Sequence, residues 1–438
     1  MNAARMNLPP VRNMMGGIMA KVNESSGLLY FLIFVGIVLA IVLGIKAYRD
    51  KRNLSTPDNI KRIQGAQVAS LEPLWTGITQ TKKGLGSQSV PEDQKLLINT
   101  TVMSTRLTGY LGPYSDGIFD EDAATRLALS SGARCLVIEI DRDSGGYEPK
   151  LIYRDGWGIK RSLNTGSIEK VARSIAGRAF TASNDSVPPQ MAGDPLFVVL
   201  YFVSAPDQAK EPRDYVRFLG KVARALQPLK DRLVGQTPQG DFRRQALESQ
   251  LFFQPWSVFS GRIIMLCNAD TSAFRRLSSV GLAGELGATD DLDLLVHCRL
   301  YSKESPSGLG ITSAPTSNVA PSAVITTDKY WLNTPPDRLA DAQTQTKKAW
   351  TLVMAPRATE NNVISAENRK RMYTEFGVHA VPFCLFDAGA NGLLGEFSKS
   401  GWNLKPELLR FIPPKPIIVQ KPSPQTNANG GAIFSPKV

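Results

Sequence analysis

The stretch PKLIYRDGWG, Pro149–Gly158, places Arg154 and Asp155 directly after the strand-like run Lys150–Tyr153. An arginine there can hold a phosphate or pair with a carboxylate, but it stays protonated at neutral pH and is a poor acid or base. The nearby acidic residues are Glu139 and Asp141 in SSGARCLVIEID, then Asp143. Asp141 and Asp143 end a strand-like run, which makes them rim residues and candidate cation oxygens. Asp290, Asp291 and Asp293 form a second acidic cluster, read as a solvated loop at a strand start. The chain has two histidines, His297 and His379, both in apolar runs where core packing is the ordinary role. That scarcity excludes a histidine-rich zinc site, and any two-histidine mechanism unless these two meet. Cys384 and His379 share one run at an odd spacing, which puts them on opposite faces of a strand. The four cysteines, Cys135, Cys267, Cys298 and Cys384, are far apart and suit a reducing compartment. P-loop, GxGxxG, HExxH and GxSxG motifs are absent from the sequence.

The elements that position these groups can be read from periodicity. Strand-like runs are Lys95–Asn99, Cys135–Ile140, Lys150–Tyr153, Leu196–Val203, Arg262–Cys267, Leu292–Leu300, Ala349–Met354 and Val378–Phe386. Helical patterns fall at Glu121–Ser131, Ser167–Phe180 and Asp214–Leu229, with Asp120 and Ser167 as N-caps. Strands alternating with helices predict parallel βα units, and eight of them predict an α/β fold, a closed (β/α)8 TIM-like barrel. Glu304–Ala323 is rich in Ser, Pro, Gly and Ala and reads as a long insertion between the sixth and seventh strands. The tail beyond Phe411 is Pro-rich and reads as an extended segment that could lie along a partner.

LLYFLIFVGIVLAIVLGI, Leu28–Ile45, carries no charge and is long enough to span a hydrocarbon core. It predicts a single N-terminal transmembrane helix, 28–48, with the lipid membrane as partner through Leu28–Tyr48. A cleaved signal peptide is the rival reading; the run is longer than a usual h-region and no A-x-A site follows. Lys46, Arg49, Lys51 and Arg52 on the C-terminal flank place the large domain on the cytoplasmic side. The net charge of +12 favours anionic partners. It is spread along the chain, and no nucleic-acid motif accompanies it.

Several segments, taken in order, resemble the catalytic barrel of the phosphatidylinositol-specific phospholipases C. LLINTT resembles the first strand, which in that family ends in His-Asn-Thr-Tyr. SSGARCLVIEID, EPKLIYRDG, DPLFVVLYFVS and FSGRIIMLCN resemble the family segments that follow, LDLLVHC closes a half called X, and SGWNLKPELLRF ends a half called Y. The resemblance spans about Lys95 to Phe411. It implies an X-like half at 95–303, a linker insertion at 304–348 and a Y-like half at 349–411; the apolar run and composition add an arm at 1–27, a polar stalk at 49–94 and the tail at 412–438. In that family two histidines act as an acid/base pair, and Ca²⁺ held by Asn, Glu, Asp and Glu neutralises phosphate charge. Here the first histidine's place falls on Ile98 and the second on Arg154. The third-segment Glu falls among Tyr201, Phe202 and Val203, and a phosphate-gripping Lys falls near Leu266. Asn99, Glu139 and Asp141 are left as metal candidates, with Val137 as an alternative for the first Glu position, and Arg154 as the phosphate-binding candidate.

The expectation is therefore a degenerate, membrane-anchored member with no catalytic residue and no required cofactor, Ca²⁺ being the one candidate. Its role would be structural or binding, linking a membrane to a protein shell such as a virion capsid. An active phosphodiesterase with a rearranged site and a phospholipid head-group sensor are the competing readings.

Overall fold

The computed structural model describes residues 12–75, 82–143, 146–183, 186–233, 235–237, 240–276, 281–282, 284–302, 304, 320–387 and 396–414. The tail from 415 onward, the arm before residue 12 and most of the expected insertion, 305–319, lie outside them.

Eight parallel strands form the core sheet: β1 Ser104–Arg106, β2 Cys135–Arg142, β3 Leu196–Phe202, β4 Ile263–Cys267, β5 Cys298–Ser302, β6 Ala323–Thr326, β7 Trp350–Val353 and β8 Phe383–Cys384. Each pairs with its neighbours in chain order, from Phe383 opposite Thr105 round to Ala323 opposite Trp350. A parallel bridge between Leu352 of β7 and Ala380, just ahead of β8, closes the circle. Val353 N–H donates to Ala380 O at 2.9 Å there. This is the expected (β/α)8 barrel.

The strand count of eight holds, but two members are other segments than expected and the bounds of others differ. Leu97–Asn99 is a 3-10 turn below the barrel, and the first strand is the polar triplet Ser104-Thr105-Arg106. Lys150–Tyr153 is not a barrel strand; Pro149–Lys150 adds an antiparallel edge to β2 and the chain then makes a hairpin over the mouth. Ala323–Thr326, assigned to the insertion, is the sixth strand, and Leu339–Lys348 is a helix within the same stretch. Leu292–Leu295 is a helical turn rather than strand, so β5 starts only at Cys298.

The helices match their signals. Asp120 accepts from Ala123 N–H at the start of α3 (Glu121–Ser130), and Ser167 accepts from Lys170 N–H at the start of α4 (Ile168–Arg178). The third, α5, covers Pro212–Ala225 and buries Tyr215, Phe218 and Leu219 against the sheet. Two helices precede the barrel: α1, Arg12–Leu54, and α2, Pro57–Trp75. Within α1, Tyr30–Leu54 is long and apolar enough to cross a membrane, a property that a signal sequence shares. Its apolar side chains from Tyr30 to Ile45 are exposed. The expected stalk is in part a packed element: α2 lies along α3, with Leu71 buried and Glu72 paired to Arg126 at 2.6 Å.

The N-terminal end of the barrel is plugged by aromatic rings. Phe197 lies 4.9 Å from Trp350 and 5.9 Å from Trp402, and Phe252 stacks on Trp350 at 5.9 Å. The short strand Thr100–Val102 pairs antiparallel with Trp402–Leu404 and seals this end.

Candidate functional site

A parallel barrel gathers strand C-termini and their loops at one face, where such folds carry their binding groups. Here that face holds Arg106 from β1, Glu139 and Asp141 from β2, Tyr201 from β3, Ser204 after β3, Cys384 from β8, and the hairpin that begins at Tyr153.

Arg106 and Glu139 form the inner pair. Arg106 Nε donates to Glu139 Oε1 at 2.7 Å, and the two side chains are 5% and 6% exposed. The same guanidinium reaches across to Ala355 O at 3.0 Å, past the end of β7. Sequence reasoning missed Arg106, because the triplet STR shows no strand signal and the first strand was sought eight residues earlier.

Arg154 and Asp141 form the outer pair. Arg154 Nε donates to Asp141 Oδ2 at 2.7 Å, and its other nitrogens donate to Arg142 O at 3.2 Å and Gly158 O at 3.3 Å. Asp141 also accepts from the Ser204 hydroxyl and from Arg142 N–H at 2.7 Å. Arg154 therefore sits at the mouth, as its place in the sequence suggests, with its head turned onto the rim carboxylate.

Little room remains on one flank of the inner pair. The space beside Arg106, Tyr114, Ala355 and Cys384 measures about 20 Å³, the size of one water. Tyr201 closes another side by donating to Pro356 O at 3.2 Å. Burial pushes the Cys384 thiol up to about 12, so it is protonated at neutral pH and is no nucleophile. On the rim, a cleft of about 360 Å³ is lined by Arg142, Arg154, Arg357, Tyr147 and Ser204 together with Asp141 and Asp143.

The remaining expected site residues are elsewhere. Asn99 is at the N-terminal end, fully buried, donating to Phe411 O at 2.9 Å and accepting from Phe411 N–H at 2.6 Å. Ile98 is there too, and its carbonyl contacts His379 Nε2 at 3.0 Å. His379 Nδ1 accepts from Thr351 N–H at 2.9 Å, which assigns its proton to Nε2. Burial, then the neighbouring Lys405, holds this imidazole well below its ordinary range, so it is a neutral structural group. His297 precedes β5, and its Nδ1 accepts from Met265 N–H at 2.9 Å. Both histidines thus lie at the start of barrel strands, away from the mouth. Val137 and Leu266 are fully buried core residues.

The metal set Asn99, Glu139 and Asp141 does not assemble. Two members are at the mouth and one is at the opposite end, because the first strand begins beyond Asn99. Both mouth carboxylates are bonded to arginines, so the residues present do not fit a Ca²⁺ ion. Among the described residues no group of three or more His, Cys, Asp and Glu converges as a metal site. The acidic cluster at 290–293 is not solvated: Asp290 is buried and pairs with Arg224 at 2.7 Å, and Asp293 accepts from Thr271 and pairs with Arg275 at 2.6 Å.

No family model matches the chain, and no curated protein matches it. Among solved structures, the chain is similar to PLC21 of L. pealei at 16% identity and a TM-score of 0.48, over 75% of this chain and 39% of that one. PLC21 of S. officinalis gives 15% and 0.44 over the same 75% and 39%. A Ca²⁺-dependent phosphatidylinositol-specific phospholipase C from Streptomyces antibioticus gives 11% and 0.40, over 71% of this chain and 99% of that one. The chain spans about two-fifths of the length of the two PLC21 proteins.

Proposed function

We propose that this chain is a membrane-anchored barrel of the phosphatidylinositol-specific phospholipase C type that binds and does not hydrolyse. One observation carries the reading: the two carboxylates of the expected site are neutralised by arginines, Arg106 on Glu139 and Arg154 on Asp141, while both histidines lie at the other end of the barrel. A phosphodiester cleaved by general acid/base chemistry needs a group that exchanges a proton near neutrality. Arginine does not, and the Cys384 thiol stays protonated. The ordered sequence resemblance from Lys95 to Phe411 supports the family assignment.

The anchor reading draws on α1 running unbroken past Ile45 to Leu54 and joining the barrel, since Lys51 Nζ donates to Lys160 O at 2.7 Å. The basic residues at its C-terminal end put the barrel on the cytoplasmic side. In this role the barrel is a scaffold that ties a membrane to a protein partner, such as a virion shell, with the Pro-rich tail as the docking segment.

The test uses the full chain in phosphatidylinositol vesicles, with and without Ca²⁺. Inositol phosphate and diacylglycerol release is expected at background in both. Release above background that is abolished by Glu139→Gln overturns the reading in favour of a rearranged phosphodiesterase. Head-group binding has its own support in the rim cleft with Arg142, Arg154 and Arg357. Binding of a soluble inositol phosphate to the full chain that weakens in Arg357→Ala would establish it.

A further inference from the structure

The hairpin that follows Tyr153 forms one wall of a cleft beside the barrel mouth. The cleft measures about 290 Å³ and is lined by Tyr114, Tyr153, Trp157, Arg161, Thr359 and Glu360. Its walls come from three segments that hydrogen bonds tie together. Asp116 N–H donates to Arg161 O at 3.1 Å, which joins the turn carrying Tyr114 to the hairpin. Arg357 Nη1 donates to Asp155 O at 3.4 Å, which joins the loop after β7. Within the hairpin, Asp155 Oδ1 accepts from Trp157 N–H at 3.0 Å and Ile159 N–H at 2.9 Å, and Arg161 holds Oδ2 at 2.8 Å. The groove is therefore preformed.

Its surface is aromatic with an acidic edge. The Tyr114 and Tyr153 rings lie 6.1 Å apart. Trp157 is 84% exposed, whereas Trp256, Trp331, Trp350 and Trp402 are no more than 6% exposed. Its indole N–H has no acceptor, and the exposed Glu360 has no ion pair, among the described residues. Such a groove suits a polyproline II segment. Proline rings pack on aromatic faces, and that helix has no internal hydrogen bonds, so its carbonyls are open to a donor.

Residues 415–438 supply a segment of this kind. They hold Pro416, Pro422, Pro424 and Pro436, with Lys415, Lys421 and Lys437 and no acidic residue. The described chain ends at Pro414, close to the plugged end where Phe411 is bonded to Asn99. The longest barrel strand, β2, has 8 residues and so spans ~26 Å. At ~3.1 Å per residue, the stretch from Pro414 to Pro424 covers ~31 Å, enough to carry Lys421–Pro424 from the plugged end to the mouth.

We propose that this cleft is a docking groove for a proline-rich strand and that its occupant is the chain's own tail, with the prolines of Lys421–Pro424 on Trp157 and the lysine paired to Glu360. The proposal rests on neither the anchor nor the loss of hydrolysis. A tail held there is in reserve, and a protein partner of the tail has to displace it.

The test uses the full chain in detergent micelles and a fluorescein-labelled peptide of residues 415–438, read by anisotropy against micelles alone. In wild type the tethered tail competes at about millimolar effective concentration. The variant Lys421→Ala/Pro422→Ala/Pro424→Ala vacates the groove without touching a described residue, so it should bind the peptide ~10-fold or more tightly than wild type. Adding Trp157→Ala to that variant should remove the gain, since truncating an interface tryptophan costs ~10-fold or more. Trp157 is exposed, so the fold should survive, and thermal unfolding checks that it does. Binding that Trp157→Ala leaves unchanged, or no saturable binding to the tail variant, overturns the groove. Equal binding by wild type and the tail variant overturns the tail as occupant. Wild type that sediments as an oligomer while the tail variant is monomeric would put the tail on a second copy and overturn the intrachain assignment.

Discussion

Arg106 Nε and Glu139 Oε1 meet at 2.7 Å inside the barrel mouth, with both side chains almost wholly out of water. Breaking such a pair leaves an uncompensated buried charge, whereas replacing both partners by apolar groups removes the desolvation cost along with the attraction. Arg106→Met should therefore lower stability by ~3–5 kcal/mol, and the double variant Arg106→Met/Glu139→Leu should return to within ~1 kcal/mol of wild type or above it. Urea unfolding of the detergent-solubilised chain reads this directly. Additive losses from Arg106→Met and Glu139→Leu would show that the two side chains do not act as a pair.

Arg154→His restores a titratable ring at the position where the sequence resemblance expects one. It should restore no hydrolysis, because Ile98 and His379 remain at the far end and Glu139 stays bound to Arg106. The shorter ring cannot span to Asp141, Arg142 O and Gly158 O together, so a loss of ~1–3 kcal/mol is expected. Inositol phosphate release above the wild-type background, measured in phosphatidylinositol vesicles, would show that the mouth is nearer to a working site than its ion pairs suggest.

The barrel was legible from the sequence where strands are long and buried on both faces. Cys135–Ile140, Leu196–Val203 and Arg262–Cys267 read as strands and are strands. It was illegible where a strand is short and polar: Ser104-Thr105-Arg106 faces other barrel groups, so no apolar run marks it. The apolar LLIN just upstream drew the assignment instead, although it packs as a turn against the aromatic plug. That shift carried Asn99 and Ile98 into an expected site at the wrong end of the barrel. Ala323–Thr326 was hidden for a different reason, since three apolar residues and a threonine directly after a Ser/Pro-rich stretch carry no period. Arg154 was legible because it ends an apolar run beside Asp155-Gly156; its partner Asp141 needed the β2–hairpin pairing to be seen.

Gly401 and Gly177 should respond to alanine with opposite signs. A Cβ on Gly401 would lie 2.1 Å from Gly132 O and 2.4 Å from Met191 Cε. The first of these is backbone that the closed end of the barrel holds, so Gly401→Ala should cost ~1–3 kcal/mol or more. Gly177 is within α4, and its added Cβ meets nothing within 4 Å. Gly177→Ala should stabilise by ~0.4–1 kcal/mol through the unfolded chain. Thermal unfolding of the two variants against wild type separates them, and equal shifts would contradict the packing at the plugged end.

Asp194 supplies the pH dependence. It sits ahead of β3, where its carboxylate accepts from Leu85 N–H at 2.9 Å, and it is 6% exposed. Burial raises it from 3.8 to about 6, against the opposing pull of Arg134 and of the Leu85 bond. The folded chain therefore binds this proton more tightly than the unfolded chain does. The stability that protonation provides is fully present below pH 3.8 and is lost as pH rises through about 6. The gap corresponds to ~3 kcal/mol. Asp194→Asn keeps an acceptor for Leu85 N–H and cannot ionise. It should match wild type near pH 4 and become progressively the more stable chain up to pH 7. Chemical unfolding at several pH values in that window gives the difference curve; a flat one would mean that Asp194 is ionised in the folded chain throughout.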